Sequence, residues 1–466
     1  MHGGGTTAAP VSFPVRNPRH DGSQRSERAD RNCRSAGYQK KARERRDYIS
    51  PGADEAEETS AMSNRERIQA RIERDKARKA EKKKIRAEEF GVLERVVTMQ
   101  HLLESMKKRR KGTDWKGSVQ SFVSHAVVKL KRLYDAFREG RFEVCQTVRM
   151  VVIRERGKLR VCRAVLFDTR VMQGVICDYC ITPMTQPHLI YDNPASTVGK
   201  GVRFMRDRMM AHLRRAVRRV GPEKLCALVT DFVHFFDNIQ HRRCRMELEK
   251  AGIESRLVDV VMRFVTMYHR QDFMRIPDEV ERTRRLSVLD AEGEIGATLG
   301  SQISQDMALV IPNEVDHLAK DKLRMKTYCR FMDDGEALAS KEDLLSFLPR
   351  FREAAEKVGF SLHESKTQIV PVMRGFTFLK VHYTVTETGK IVRKAVRSGI
   401  VRMRRKLKKL ERRVQRKEIP KLYVFQSFAS WYGMMQKIGT TYRQRREMLR
   451  RYNRLFDCYR LEVFAA

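Results

Sequence analysis

With 466 residues and 41% hydrophobic side chains, the chain is long enough for one large domain or two to three modest ones around a sizeable core. Lys and Arg number 96 against 58 Asp and Glu, a formal net charge of +38. A nucleic-acid partner is therefore expected first, ahead of an anionic membrane surface or a merely basic protein. No stretch approaches the ~18 to 20 consecutive apolar residues of a membrane span, and the first residues lack the apolar core of a secretory signal. Nine cysteines without framework spacing suit a reducing cytosol.

Residues 1–62 carry many Gly, Pro, Ser and Arg without periodicity and are expected to be disordered. Met62 precedes Ser63 and Glu66 at capping-box spacing, so it offers a second start and leaves the upstream segment dispensable or untranslated. A mitochondrial leader fits poorly, because Asp54, Glu55, Glu57 and Glu58 interrupt the acid-poor pattern. Residues 63–144 read as a basic helical extension. Its first part, to about Phe90, is rich in Glu, Lys, Arg and Ala, which makes it a solvated helix or a basic helix gripping RNA. Val119, Phe122, Val123, Ala126, Val127, Leu130, Leu133, Tyr134 and Phe137 then fall at helical spacing and predict a core-facing stripe.

Residues 145–165 switch to a β-branched alternation with a turn at Gly157-Lys158, a hairpin carrying Arg154, Arg156, Lys158, Arg160 and Arg163. Cys177 and Cys180 form a C-x-x-C without a second matching pair, which favours buried small hydrophobes over a zinc site. Strand and helix signals alternate through residue 390, the pattern of an α+β domain over 145–390. Residues 395–466 are helical, with 20 Lys and Arg against 5 Asp and Glu. Met403, Leu407, Leu410 and Val414 share one helix face, Arg404, Arg405, Lys408, Arg412 and Arg413 lie around the rest, and Pro420 limits the helix.

Two segments carry chemistry. In Leu228-Val229-Thr230-Asp231 an apolar strand delivers a carboxylate at its end, followed by Phe232, Phe235, Phe236 and Asp237. In Tyr328–Leu338 two short strands flank Asp333-Asp334-Gly335, a tight-turn signal. Alternating strand side chains separate the roles of Asp333 and Asp334. Phosphoryl transfer to a primer hydroxyl uses two hard cations held by carboxylates from separate strands, which Asp231 and Asp333 would supply.

The order Asp231…Phe236, Gly300-Ser301-Gln302-Ile303-Ser304-Gln305, Phe331-Met332-Asp333-Asp334, Ser365-Lys366-Thr367 and Gly375-Phe376-Thr377-Phe378-Leu379 resembles the motifs of reverse transcriptases. It is most similar to compact bacterial and prophage-borne enzymes related to those of group II introns and diversity-generating retroelements. The resemblance covers about residues 145–390. It implies a right-hand polymerase, with fingers and an antiparallel palm sheet over 145–390 and a helical thumb over 395–466. It implies RNA-directed DNA synthesis with Mg²⁺ (two ions, Mn²⁺ as a substitute), an RNA template, a DNA or RNA primer and a cognate structured RNA, in a bacterial or phage-encoded cytoplasmic setting.

Carried over by motif, Asp231 and Asp333 would hold metal, Asp334 would assist in the same turn, and Lys366 would act as general acid. Lys158 and Arg160 would take the triphosphate, beside Phe232, Gly300 and Gln302, and Phe236 would gate against a ribose 2′-OH. Asn193, Ser196, Lys200 and Gly201 would contact template, and Phe376 and Leu379 would form the primer grip. Two departures stand out: Phe331 replaces the usual Tyr, and Thr298-Leu299-Gly300 replaces Pro-Gln-Gly. Leu299 implies reduced fidelity, legible in the error frequency of cDNA copied from a defined template. The rival readings are a catalytically silent RNA-binding member of the fold and an enzyme of phage defence making untemplated DNA. The intact carboxylates and Phe236 oppose the first.

Overall fold

The computed structural model describes residues 63–140, 148–155, 158–266, 274, 276–292, 295–297, 299–438 and 442–456. The described residues divide into two units between Lys79 and Ala80. In the first, the helix Asn64–Phe90 begins with a reciprocal cap: Ser63 N–H donates to Glu66 Oε2 (2.7 Å), and Glu66 N–H to Ser63 Oγ (3.3 Å). This helix buries none of its residues, as its few apolar positions predict. The expectations for residues 1–62 lie outside the described residues.

The predicted stripe over 119–137 is two helices, Gly117–Ser124 and Ala126–Arg138, broken at His125 (φ −116°, ψ 31°). Val119, Phe122, Leu130, Leu133 and Phe137 are buried, but the break turns Val127 outward to 78% exposure. One continuous helix was the wrong reading, because helical periodicity does not register a local change of axis. The hairpin β1 (Val148–Glu155) and β2 (Lys158–Val165) forms as predicted, with Glu155 opposite Lys158. Lys158 therefore opens β2 and does not belong to the turn expected at Gly157-Lys158. Cys177 and Cys180 are fully buried in a π-helical turn, Cys177–Ile181, and burial pushes both thiols up. Among the described residues no helix is long and apolar enough to cross a membrane.

The central sheet has the order β4 (Cys329–Phe331), β5 (Asp334–Ser340), β3 (Leu225–Asp231), β6 (Gln368–Pro371), and its pairs are antiparallel. Both faces of β3 and β5 are covered, hence their runs of small and aliphatic residues. Cys226, Leu228, Ala337 and Ala339 pack with Leu344, Phe347, Phe351 and Ala355 of the helix Lys341–Lys357. On the other face Leu225, Ala227, Cys329 and Leu338 meet Met205, Met209, Leu213 and Ala216 of the helix Val202–Val220. Each such Leu, Val or Phe contributes about 1.5–3 kcal/mol of transfer free energy.

A second sheet, β7 (Phe376–Phe378), β8 (Val381–Val385) and β9 (Ile391–Ala395), shares that latter core. So do the helices Arg397–Gln415, Lys421–Ile438 and Tyr442–Leu455, through Leu407, Phe428 and Tyr452 among others. The Phe428 and Tyr452 rings stack at 4.3 Å. The C-terminal helices and the sheet corner thus rest on one apolar mass.

Candidate active site

β3 ends at Asp231, and the chain beyond it is held in place by backbone bonds. Val233 N–H donates to Ser361 O (2.9 Å), and His363 N–H to Asp231 O (2.8 Å). A turn on the His363 carbonyl, which accepts from Lys366 N–H (3.2 Å) and Thr367 N–H (2.9 Å), swings Lys366 back. Its ammonium donates to Asp231 Oδ2.

Across the sheet Asp231 lies directly opposite Asp334, and Asp334 opposite Phe331. Directly opposed strand residues share a face, so the Asp231 and Asp334 carboxylates lie side by side. The two-residue loop is Met332-Asp333, with Met332 in the left-handed region at φ 59°. The predicted turn at Asp-Asp-Gly therefore moves back by one residue: Asp333 is an exposed loop residue and Asp334 the first residue of β5. Gly335 serves close strand approach instead, since a Cβ there would lie 2.4 Å from Thr230 Oγ1. The loop is laid on the end of β3 by Phe232 N–H, which donates to Asp333 O at 3.3 Å.

Burial, with the Asp333 and Asp231 charges beside it, pushes the Asp334 carboxyl up to about 7, against the pull of Lys366. The Asp231 and Asp334 carboxyls thus share one ammonium. Hard oxygen donors with excess negative charge suit Mg²⁺ or Mn²⁺. Among the described residues no three such side chains are already gathered around one metal position, and the Lys366 ammonium sits on Asp231.

Around this corner the other predicted residues divide. Gly300 (φ 107°) is exposed, and Ser301 caps the helix Gln302–Val310, accepting from Ser304 N–H; Gln302 is half-buried at its start. Leu299 bridges Cys162 of β2, which brings the fingers hairpin to this motif. Lys158 and Arg160 lie on β2, and their side chains fall outside the described residues. Phe236 is half-buried and edge-on to Phe235 (5.6 Å). Ser196 (φ 48°) is exposed. Lys200 lies over the Tyr191 ring at 4.5 Å, and Gly201 (φ 111°) precedes the helix Val202–Val220. Leu379 and Lys380 (φ 46° and 64°) form the two-residue loop between β7 and β8, and Arg206 Nη2 donates to Leu379 O at 2.8 Å.

Three residues predicted to touch substrate point elsewhere. The Phe232 ring is buried against Phe235 and Phe360. Asn193 is 1% exposed and donates to Asp316 Oδ2 at 3.4 Å. Phe376 is buried on Tyr383. Motif position identifies the segment, but the direction of each side chain follows from packing, and all three turn into a core. Sequence reading also missed Arg206 and the fully buried Arg330. The signal for Arg330 was a charge in a strand between Cys329 and Phe331.

Residues 153–383 match the family model described as reverse transcriptase (RNA-dependent DNA polymerase). Comparison with curated proteins returns no match. Among solved structures, telomerase from Candida albicans with a fragment of telomeric RNA aligns at 13% identity and TM-score 0.35, covering 53% of this chain and 45% of that one. Apo telomerase from Candida tropicalis aligns at 13% and 0.34, covering 53% and 48%. Its form truncated from the C-terminal domain aligns at 12% and 0.37, covering 53% and 55%. The chain spans about half the length of these structures. The antiparallel central sheet lies within the matched segment, and this chain carries a reverse transcriptase domain over residues 153–383.

Proposed function

We propose that this protein is an RNA-directed DNA polymerase that extends a primer along an RNA template with deoxynucleoside triphosphates. The observation that carries the reading is the cross-strand pairing of Asp231 with Asp334, beside Asp333 in the exposed loop. Together these residues would hold two Mg²⁺ ions, with Mn²⁺ as a substitute. Such ions activate a primer hydroxyl and offset the charge of the triphosphate and departing pyrophosphate.

The chain's own groups do the rest. The two strands and the loop orient the three carboxylates. Lys366, delivered by its turn, supplies the proton to pyrophosphate. Phe236 excludes a 2′-OH, and Lys158 and Arg160 grip the triphosphate. Gly300 and Gln302 form the floor under the nucleotide, where the positive end of the helix Gln302–Val310 favours anions. Ser196, Lys200 and Gly201 face template, and Leu379 faces primer. Asn193, Phe232 and Phe376 serve this site by holding its loops rather than by touching substrate. The compact bacterial or prophage setting, a retroelement or defence role, a cognate structured RNA and a cytoplasmic location complete the proposal, and the motif resemblance supports them.

The deciding experiment is primer extension by Asp333→Ala. We expect a loss of roughly a thousandfold or more with an unchanged melting curve. A folded variant that still extends primers refutes the assignment. Sequencing the products separates templated copying from untemplated addition.

A further inference from the structure

Arg330 is a charged residue with no exposure, one strand position before Phe331. A guanidinium in such a place must spend all its donors on protein. Its Nε and Nη2 pair with Asp316 at 2.8 Å each, and Asp316 also accepts from Tyr328 Oη at 2.9 Å. An ion pair alone would end there. Arg330 goes further: Nη2 donates to Leu309 O (2.9 Å), and Nη1 to Ala308 O (3.4 Å) and Met332 O (3.0 Å).

These three carbonyls are informative. Ala308 and Leu309 lie in the last turn of the helix Gln302–Val310, where carbonyls lack helical partners. The natural partner of Ala308 O would be the N–H four residues on, and Pro312 has none. Met332 is the residue at φ 59° that opens the loop bearing Asp333. The backbone of Arg330 adds a further tie, its N–H donating to Asp192 O at 3.1 Å in the segment leading to Ser196 and Lys200.

We propose that Arg330 is a positioning residue: its buried guanidinium locks the Met332-Asp333 loop to the end of the helix that starts under the nucleotide. The distance between the Asp333 carboxylate and the Gly300–Gln302 floor is then set by one planar, five-donor group. Lys would keep the charge and lose the fork. What the loop does rests on the proposed polymerase reading; what holds the loop rests on these hydrogen bonds.

The test compares the parent with Arg330→Lys and with the double variant Arg330→Met/Asp316→Asn. The double variant leaves no unpaired buried charge, and its Asn still accepts from Tyr328. Four quantities are read: thermal melting, amide hydrogen exchange over residues 329–336, primer–template Kd, and the single-turnover extension rate. In the double variant we expect melting within a few degrees of the parent, exchange of the loop roughly tenfold faster, Kd within about twofold, and a rate roughly a hundredfold lower. Arg330→Lys should fall between the two, and it carries the same readouts if the double variant does not fold. Unchanged loop exchange in a folded variant overturns the inference, whatever the rate does. Faster exchange with an undiminished rate also overturns it. Faster exchange in a protein whose parent extends no primer leaves the positioning role standing and removes the polymerase reading.

Discussion

Two hairpin loops that the motif resemblance assigns to substrate are held differently. Met332-Asp333 and Leu379-Lys380 are both two-residue connections that put non-glycine residues at positive φ. Such conformations cost about 1–3 kcal/mol each and persist only where the surroundings insist on them. The Met332-Asp333 loop is insisted on by the fully buried Arg330 and by the Phe232 N–H on Asp333 O. The Leu379-Lys380 loop is tethered by Arg206, a partly exposed arginine of the helix Val202–Val220, which donates to Leu379 O. The difference fits the tasks proposed for them. Carboxylates that orient a reaction tolerate little displacement, whereas a loop that follows a sliding primer gains from a yielding tether.

This contrast can be broken at several points. Arg206→Met should loosen the primer loop alone, raising the KM for primer–template roughly tenfold with kcat within about twofold; steady-state kinetics over primer concentration check this. A fall in kcat with unchanged KM would erase the distinction between the loops.

The dryness of the braced corner is testable through Asp306, on the helix that Arg330 caps. It is 3% exposed, and burial pushes its carboxyl up to about 7. Because the folded value lies above the unfolded value of about 4, the neutral form belongs to the folded state. Its contribution is complete below about pH 4 and is lost as pH rises through about 7. Asp306→Asn should therefore melt several degrees higher than the parent at pH 8 and close to it at pH 4. Equal melting at both values would mean that water reaches this helix.

The smallest effect separates strain from packing. Lys380 is exposed, so Lys380→Gly should stabilise the protein by about 1 kcal/mol through the relieved φ. Met332 also packs against the first core, so Met332→Gly should gain nothing net. Denaturant midpoints of the two variants read the comparison, and equal gains would show that Met332 is held by strain alone.

Much of the site was legible because it is local. An apolar run ending in Asp231 and a β-branched hairpin over 145–165 each depend on a few neighbouring residues, and each forms, with the hairpin's Lys158 in β2 rather than in the turn. The ordered motifs likewise placed the reverse transcriptase domain on the segment that the family match covers. What local pattern misplaced was direction. Phe232, Asn193 and Phe376 occupy the expected segments and point into cores, because the choice between core and cleft depends on elements distant in sequence.

The Phe331-Met332-Asp333-Asp334 hairpin shows where the boundary falls. Its sequence alone determined that a turn would present carboxylates between two short strands, since turn residues and flanking apolar positions act within a few bonds. Which carboxylate stands in the strand, and that it faces Asp231, was decided by the register of β3 against β5, a pairing between residues about a hundred positions apart. That register is set by burial on both faces of the sheet. The same burial turned Arg330 from a residue inside a motif into a tie between the Met332-Asp333 loop and the helix Gln302–Val310.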